Sequence, residues 1–336
     1  MELSARIVSL SLAETLRIAR GGQDTAEVVE VEIRCGGATG VGEAAPIGRY
    51  GESAASALAY VEAAAELIGD DPWGLDEIHD RLPAGEQAGR AAIDAALHDV
   101  CGKLTGLPVW RLLGLRRTGP ATSFTISLGD PDAMARSAER QAPRFHRLKL
   151  KVGGRDGLDV DRVEAVRSVT ALPLQIDVNE HWTLEEALDT LPRLAELGVE
   201  YCEQPLPAGD AGASELRRRS PLPLYADEDC HTLADVARCA EIAHGVNIKL
   251  AKSGGIREAV RVAHAARSLG LGVMLGCMVE SGLGIAAAAQ VASLCDYVDL
   301  DGNLLLREDP WTGLEFVDGV QLPAEAPGLG MRPAGA

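Results

Sequence analysis

Ionisable residues stand at near-even intervals along the second half of the chain. They are Lys151, Asp177, Glu203, Asp227 and Lys249, separated by 26, 26, 24 and 22 residues, and Asp299 follows 50 residues later. Each ends a short apolar run such as LQID or LYAD. One strand plus one helix is about this long, and a (β/α) barrel builds its active site from the carboxyl ends of its strands. The spacing therefore predicts a barrel with these side chains at one mouth.

Strand-like and helix-like segments alternate from about Ala121 onward. Eight strand candidates and seven intervening helical segments run to VDLDG, near residue 302, and they predict a parallel barrel rather than an open sheet. Residues 1–35 instead hold two strand-like stretches, ARIVSLSL and AEVVEVEIRC, joined by a short loop at 17–24. A glycine-rich turn then leads to a third strand, and alanine-rich stretches at 52–67 and 89–104 predict helices.

The boundaries follow from this change of pattern. We predict an α/β protein with an α+β domain at 1–118, a barrel at 119–303 and a C-terminal tail, 304–336, that folds back over the first domain. The net charge of −18 disfavours nucleic acid and anionic membranes as partners. Seven scattered cysteines without a CxxC pair favour reduced thiols. We expect a cytoplasmic homo-oligomer that binds neither nucleic acid nor membrane.

Lysines bound the series of strand ends. Lys149 and Lys151 are two residues apart, so on a strand both side chains point the same way. Two interior lysines cost too much desolvation to serve packing alone, although a surface strand is an alternative. Lys249 in VNIKLAKSGG has the same status, whereas we expect Lys252 to lie on the loop or in solvent.

Three carboxylates fall on consecutive predicted strands. Neighbouring strands are about 4.8 Å apart, so Asp177, Glu203 and Asp227 at equal depth would converge on one point. Three like charges there repel one another without a cation. Oxygen ligands favour Mg²⁺ or Mn²⁺, with Mg²⁺ as the default. Spacing alone also allows a salt-bridge network between these carboxylates and the lysines.

The order of these residues resembles the enolase superfamily, in its muconate-lactonizing-enzyme subgroup, and most closely the dipeptide epimerases. The matching segments extend from residue 17 to residue 306: RIARGGQ, GVGEAAPIGRYGES, DVNEHW, EQPLPAGD, ADEDCHT, VNIKLAKSGGI, LGCMVES and VDLDGNLLL. The resemblance implies a (β/α)7β modified TIM barrel with an N-terminal α+β capping domain. It also implies Mg²⁺ held by the three carboxylates.

The same resemblance implies roles for the lysines and an activity. Lys151 and Lys249 would be the acid/base pair on opposite faces of the substrate, and Lys149 would stabilise the enolate. Burial and the neighbouring cation would lower the lysine pKa values toward about 7–8. The activity would be 1,1-proton transfer at the α-carbon of the C-terminal residue of a dipeptide, L-Ala-D/L-Glu or a related one.

Substrate contacts are implied in the same way. Asp299 and Asp301 match the pair that binds a dipeptide's free α-ammonium, although two such aspartates could instead cap a neighbouring helix. Arg20 would clamp an acidic side chain, unless it is a solvated arginine. Tyr50 and Met278 are expected to shape the pocket.

Three further residues bear on the pocket. Asp229 stands where the family pattern has serine, which bears on substrate preference. Glu280 and Ser281 are further candidates for the wall.

Two other functions compete with the leading one. An o-succinylbenzoate synthase, N-succinylamino acid racemase or cycloisomerase would keep the same lysines and metal. An acylated nitrogen, however, offers no cation to Asp299 and Asp301. A non-catalytic peptide-binding module on the same scaffold is the second alternative, and it has no use for two bases.

Overall fold

An antiparallel sheet backed by helices forms the first part of the molecule. The computed structural model describes residues 1–335. This part contains β1 (Glu2–Ile18), β2 (Gly21–Cys35), β3 (Ala38–Ala44), α1 (Ala54–Ala64), α2 (Leu75–Arg81), α3 (Gln87–Thr105) and α4 (Val109–Leu112). The sheet order is β1-β2-β3. Gly40 and Gly42 let β3 lie against α3, because a Cβ at either position would come within 2.1 Å of an α3 carbonyl oxygen.

The predicted loop at 17–24 is mostly strand. Arg17 pairs with Gly22 and Ile18 with Gly21, so only Ala19 and Arg20 form the turn of the β1–β2 hairpin. This pairing satisfies the backbone hydrogen-bonding groups of the hairpin tip, which extends beyond the rest of the sheet. The tip of this hairpin reaches the mouth of the barrel, where Ile18 and Arg20 line the main cavity.

Eight parallel strands form the barrel, as predicted. They are β4 (Phe124–Ile126), β5 (Leu148–Lys151), β6 (Leu174–Asp177), β7 (Val199–Glu203), β8 (Leu224–Ala226), β9 (Gly245–Ile248), β10 (Gly272–Gly276) and β11 (Tyr297–Asp299). The intervening helices are α5 (Pro131–Gln141), α6 (Asp159–Val169), α7 (Leu184–Glu196), α8 (Ala213–Arg219), α9 (Val236–Ile242), α10 (Leu250–Ser253), α11 (Ile256–Ser268) and α12 (Gly282–Ala289). Hydrogen bonding follows chain order from β4 to β11.

The ring closes where the first and last strands meet. Thr122 and Val298 form a parallel bridge just before β4, and the Ser123 N–H donates to the Val298 carbonyl at 2.9 Å. Seven crossovers join the eight strands, with α10 and α11 sharing one of them. The predicted (β/α)7β barrel is therefore confirmed.

Strand register decides how deep each charged side chain lies. Lys151 is aligned with Asp177, and Asp177 with Glu203. Glu203 is aligned with Tyr225, however, so Asp227 stands beyond the end of β8. The expectation of equal depth therefore holds for two of the three carboxylates, and the third reaches the site from a loop.

The C-terminal tail contacts both parts of the molecule. It carries β12 (Trp311–Thr312), β13 (Glu315–Val317), β14 (Val320–Leu322) and β15 (Arg332–Pro333). Trp311 donates its indole N–H to Glu30 of β2 at 2.7 Å, while Gln321 donates to the Leu300 carbonyl of the barrel at 2.9 Å. Ala336, the end of the predicted tail, lies outside the described residues. No helix within residues 1–335 is long and apolar enough to span a membrane.

Candidate active site

A cavity of about 400 Å³ opens at the carboxyl ends of the barrel strands. The β1–β2 hairpin and the turn Gly48–Tyr50 form its outer wall. Nine of the eleven predicted site residues line it: Arg20, Tyr50, Lys149, Lys151, Asp227, Lys249, Met278, Asp299 and Asp301. The other two, Asp177 and Glu203, have no exposed surface and lie behind the lysines.

Lys149 is the most deeply placed of the cavity lysines. Its ammonium is 2.7 Å from Glu203 Oε2, 2.7 Å from Asp299 Oδ2 and 3.4 Å from Asp177 Oδ2. Burial opposes its charge, but attraction by these three carboxylates outweighs burial and holds the pKa of Lys149 well above its ordinary value. A lysine in this position is a fixed positive charge at the cavity floor.

Lys151 and Lys249 are each paired with a different carboxylate. Lys151 Nζ donates to Asp177 Oδ2 at 2.6 Å, and Lys249 Nζ donates to Asp227 Oδ2 at 2.8 Å. Lys151 ends β5, and Lys249 follows β9 directly. Four steps around a ring of eight strands separate β5 from β9. The two ammonium groups therefore approach the cavity from opposite walls.

Lys252 is buried, and the prediction that it lies on the loop or in solvent is wrong. Its side chain has no exposed surface. The ammonium donates to Asp227 Oδ1 at 2.5 Å and to the carbonyls of Asp227, Cys230 and Asn247 at 2.6, 2.8 and 2.9 Å. The helical turn of α10 places it three residues after Lys249, on the same side of the backbone. Lys252 does not line the cavity and holds Asp227 from behind.

Burial and neighbouring carboxylates act on the pKa of Lys249 in opposite directions. Burial lowers its pKa, but attraction by Asp227 and Glu203 outweighs burial, so the pKa lies above the ordinary value. Burial likewise opposes ionisation of Asp227, and its two lysine partners overcome it, so that the pKa of Asp227 lies well below its usual range. The protein's own groups hold this pair as an ion pair.

The donor set around the carboxylates fits a hard cation. Seven buried side-chain polar atoms within residues 1–335 have no hydrogen-bond partner, and four of them are oxygens at or near these carboxylates: Asn179 Oδ1, Glu203 Oε2, Glu228 Oε2 and Asn247 Oδ1. Glu203 Oε2 is close to Lys149 Nζ, at 2.7 Å, but without hydrogen-bond geometry. Orphaned acceptors are costly in a buried site, and oxygen ligands are those that Mg²⁺ prefers.

The carboxylates do not surround a common point in the structure. Across the described residues, no three His, Cys, Asp or Glu side chains are arranged as metal ligands. The physical reason is visible in the ion pairs, because Lys151, Lys149 and Lys249 reach to Asp177, Glu203 and Asp227, respectively. Each of the three carboxylates is therefore paired with at least one lysine.

Asp299 and Asp301 differ in their partners. Asp299 receives Lys149 Nζ on Oδ2 at 2.7 Å and Ser123 Oγ on Oδ1 at 3.0 Å. Asp301 accepts the Thr125 backbone N–H at 2.6 Å, and no cation pairs with it among residues 1–335. Burial, together with repulsion by Asp299, raises the pKa of Asp301 to about 7. A ligand cation at this end of the cavity would therefore meet one uncompensated carboxyl.

Arginines of the outer wall are paired with barrel carboxylates. Arg20 Nη1 donates to Glu228 Oε1 at 2.7 Å and to Glu180 Oε2 at 3.2 Å. Arg49 donates to the two oxygens of Glu180 from Nη2 and Nε, at 2.7 and 2.8 Å. Tyr50 packs edge-on against His231, with ring centroids 4.4 Å apart. These contacts fasten the outer wall to the barrel rim.

Three residues expected at the pocket lie elsewhere. Asp229 is buried and accepts hydrogen bonds from Gln204 at 2.8 Å, the Gly209 N–H at 2.9 Å and Arg238 at 2.6 Å. It therefore anchors the loop after β7. Glu280 and Ser281 do not line the cavity. Ser281 instead donates its N–H to Glu43 Oε1 at 2.9 Å.

The sequence offered a signal for Lys252. The chain has only five lysines, namely Lys103, Lys149, Lys151, Lys249 and Lys252, although lysine and arginine together number 32. Most of the positive surface charge is therefore carried by arginine. A lysine is rare in this chain, and its rarity favours a specific role for it over a place on the surface. Glu180 and Glu228 gave no such signal, because their function depends on which arginine of a distant segment reaches them.

The chain belongs to the enolase superfamily. Residues 133–335 match the family described as Enolase C-terminal domain-like. Residues 2–114 match Mandelate racemase / muconate lactonizing enzyme, N-terminal domain. The family predicted from the sequence motifs is thus confirmed.

Individual relatives narrow the comparison. The chain is 38% identical to L-Ala-D/L-Glu epimerase of Bacteroides thetaiotaomicron, over 96% of this chain and 85% of that protein. It is 37% identical to hydrophobic dipeptide epimerase of Roseobacter litoralis, with 98% of each chain covered. The crystal structure of a dipeptide epimerase from Enterococcus faecalis, complexed with Mg and L-Leu-L-Tyr, has a TM-score of 0.94, 32% identity and 98% coverage of both chains.

Proposed function

We propose that the protein epimerises the α-carbon of the C-terminal residue of a dipeptide by 1,1-proton transfer. The observation that carries this proposal is the placement of Lys151 and Lys249 on opposite walls of one cavity, with Asp299 and Asp301 at its end. Binding alone needs no pair of bases. The relatives named as dipeptide epimerases support the same conclusion.

The geometry assigns a task to each wall. One lysine removes the α-proton and the lysine opposite delivers a proton to the other face, so the configuration inverts. A single base would return the proton to the face it left. Lys149 places a fixed positive charge beside the negative charge that develops on the substrate. Asp301, which lacks a cationic partner within residues 1–335, would bind the α-ammonium.

Asp177, Glu203 and Asp227 would hold Mg²⁺. When bound, it would supply positive charge beside the substrate carboxylate and so make the α-proton more acidic. The oxygen-only donor set and the orphaned oxygens of Glu203 and Asn179 support this assignment. Lys151 and Lys249, now paired with Asp177 and Asp227, would then be free to turn toward the substrate.

Arg20 is the residue we assign to the substrate side chain. Its Nη1 is engaged by barrel oxygens, whereas Nε and Nη2 have no hydrogen-bond partner in the part of the chain that the structure describes. These donors can pair with a carboxylate. Tyr50 and Met278 complete the surrounding wall.

Proton exchange in D₂O tests the activity. Purified protein with Mg²⁺ is incubated with L-Ala-L-Glu, L-Ala-L-Leu and the N-succinyl derivatives of the same C-terminal residues. We expect loss of the Cα–H signal by NMR and appearance of the L,D diastereomer for the dipeptides only. Turnover confined to the N-succinyl compounds, or absent with all substrates, would overturn the proposal.

Metal removal tests the cation site separately. Treatment with EDTA should abolish exchange, and Mg²⁺ should restore it, with Mn²⁺ as a second cation to compare. Since a ligand of the native state stabilises it by mass action, Mg²⁺ should also raise the melting temperature. An Asp177→Asn variant should lose that shift. Equal shifts in the two proteins would argue against these ligands.

A further inference from the structure

Glu180 occupies an unusual position on the rim of the barrel. It follows Asn179, and both have left-handed backbone conformations, with φ of 72° and 49°. Such conformations cost non-glycine residues about 1 kcal/mol or more and persist where surrounding contacts impose them. The Glu180 N–H donates to the Gln204 carbonyl at 2.9 Å, which holds this loop against the next one.

The Glu180 carboxylate connects three segments. It accepts two hydrogen bonds from Arg49 and one from Arg20, and it also receives the Ala208 N–H on Oε1 at 2.9 Å. Arg49 comes from the turn after β3 and Arg20 from the β1–β2 hairpin. Its side chain is only 8% exposed. Burial opposes its charge, but the contacts with Arg49 and Ala208 outweigh burial and lower the pKa of Glu180.

The two arginines are used differently. Arg49 donates from both Nε and Nη2 to Glu180. This is the bidentate geometry, or fork, by which arginine binds a carboxylate. Arg20 uses only Nη1 and keeps its other donors at the cavity. Glu180 therefore keeps the fork of Arg49 from a ligand while leaving part of Arg20 available.

The substrate side chain must face this wall. In the proposed function, on which this inference rests, the substrate carboxylate would lie beside the Mg²⁺ that Asp177, Glu203 and Asp227 would hold, and the ammonium at Asp301. Its α-carbon lies between two lysines. The remaining cavity wall includes Arg20, Arg49 and Tyr50 beside apolar residues such as Ile18 and Ile47. Two arginines there are matched by two carboxylates, Glu180 and Glu228.

We infer that Glu180 is a specificity-determining residue that sets how strongly the pocket favours an acidic C-terminal side chain. With Glu180 in place, one arginine is available and neutral side chains compete with acidic ones. Neutralising Glu180 frees the fork of Arg49 and leaves the wall with one uncompensated positive charge. The pocket should then shift toward acidic dipeptides.

The test compares two substrates of nearly equal shape, L-Ala-L-Glu and L-Ala-L-Gln. For Glu180→Gln, the ratio of kcat/KM values, Glu over Gln, should rise about fivefold relative to the unmodified protein, as expected for one partly exposed ion pair. The gain should shrink at high salt, because such pairs are screened. Equal losses with both substrates would mean that Glu180 merely holds the loops and would overturn the inference.

Glu30→Gln is the matched control. The Glu30 side chain is 7% exposed, accepts two hydrogen bonds from Arg6, both on Oε2, and accepts one further N–H from Trp311 on Oε1. It lies on β2, away from the cavity. Its substitution should leave the substrate ratio unchanged.

A second variant keeps the inference testable if Glu180→Gln does not fold. Arg49→Gln leaves Glu180 without its main partner, so the ratio should fall about fivefold. A ratio that rises or stays constant would contradict the assignment. Absence of dipeptide turnover in the unmodified protein is a distinct result, because it would overturn the proposed function itself.

Discussion

The two lysine walls of the cavity are built from the same chemistry but held differently. Lys151 ends a strand, pairs with Asp177 and keeps 12% of its side chain exposed. Lys249 shares Asp227 with a second, fully buried lysine, Lys252. In the first wall, Asp177 lies between Lys151 and the deeper Lys149. In the second, Asp227 lies between Lys249 and Lys252, which is outside the cavity. The two lysines that we propose as the acid/base pair thus have different surroundings.

The first domain contacts the segments that follow Lys249 and β10. Asp94 of α3 accepts the Ile256 N–H at 2.6 Å, at the start of α11, and this contact secures the turn that follows Lys249. Glu43 of β3 binds Ser281 at the start of α12. Lys151 is followed instead by a loop whose Gly153 N–H is held by Asp159, a barrel residue, at 3.0 Å.

Replacing Lys151 or Lys249 should have the largest effect on activity, and it tests whether the two walls serve opposite faces of the substrate. Lys151→Met and Lys249→Met should each lower epimerisation about 10³-fold, within the range for removal of a general acid or base. Each variant should still exchange the α-proton of the one diastereomer that faces its remaining lysine. NMR in D₂O with L,L and L,D dipeptides measures both effects. Inversion by either single variant at a normal rate would refute the two-base assignment.

Lys252→Met addresses what holds the second wall. Asp227 would lose the partner of Oδ1, and we expect a loss of about 10–100-fold in kcat, as for other residues that orient a site from behind. Exchange of the diastereomer served by Lys249 should fall more than exchange served by Lys151. Lys103→Met is the control, because Lys103 pairs with Asp99 at 2.7 Å far from the cavity. Equal losses on both faces would show that Lys252 does not favour one wall.

Asp301→Asn tests the end of the cavity that both walls share. Asp301 has no cationic partner among residues 1–335. Replacing its carboxylate should raise KM for dipeptides about tenfold with a smaller change in kcat, because the ammonium contact is present both before and during the reaction. Asp299→Asn should lower kcat as well, because Lys149 loses a partner at 2.7 Å. Steady-state kinetics separates these outcomes. An unchanged KM for Asp301→Asn would remove this residue from the ammonium site.

Glu43→Gln tests the contact between β3 and the start of α12 through the pH dependence of stability. It is the variant with the smallest expected effect. Burial raises the pKa of Glu43 to about 8, although its hydrogen bonds from Ser281 oppose the shift. The folded state then holds a proton that the unfolded state releases near pH 4.5, so stability falls as pH rises from about 4.5 to 8.

The amide variant cannot ionise and should lose less stability over that interval. We expect a melting temperature about 2 °C higher than that of the unmodified protein at pH 8, and little difference at pH 5. Thermal unfolding at the two values measures this. A difference of the same size at both pH values would indicate packing and not ionisation.

Much of the barrel was readable from local pattern. Apolar runs ending in a charged residue marked β5, β6 and β7 at their true ends, because a buried parallel strand needs apolar residues until its backbone reaches the mouth. The hairpin at 17–24 was not readable, since its polar residues resemble a loop. Its strand character comes from pairing with itself above the barrel rim.

The site divides in the same way. Residue type and spacing along one chain determined that Lys151 and Lys249 meet the carboxylates at the barrel mouth, because the strand period fixes where each side chain points. Tertiary structure alone decided that Lys252 is buried behind Asp227 and that Asp229 serves a loop. It also joined Glu180 to Arg49, across 131 positions of sequence. Charge pairing depends on which segments meet in space, and no local pattern contains that information.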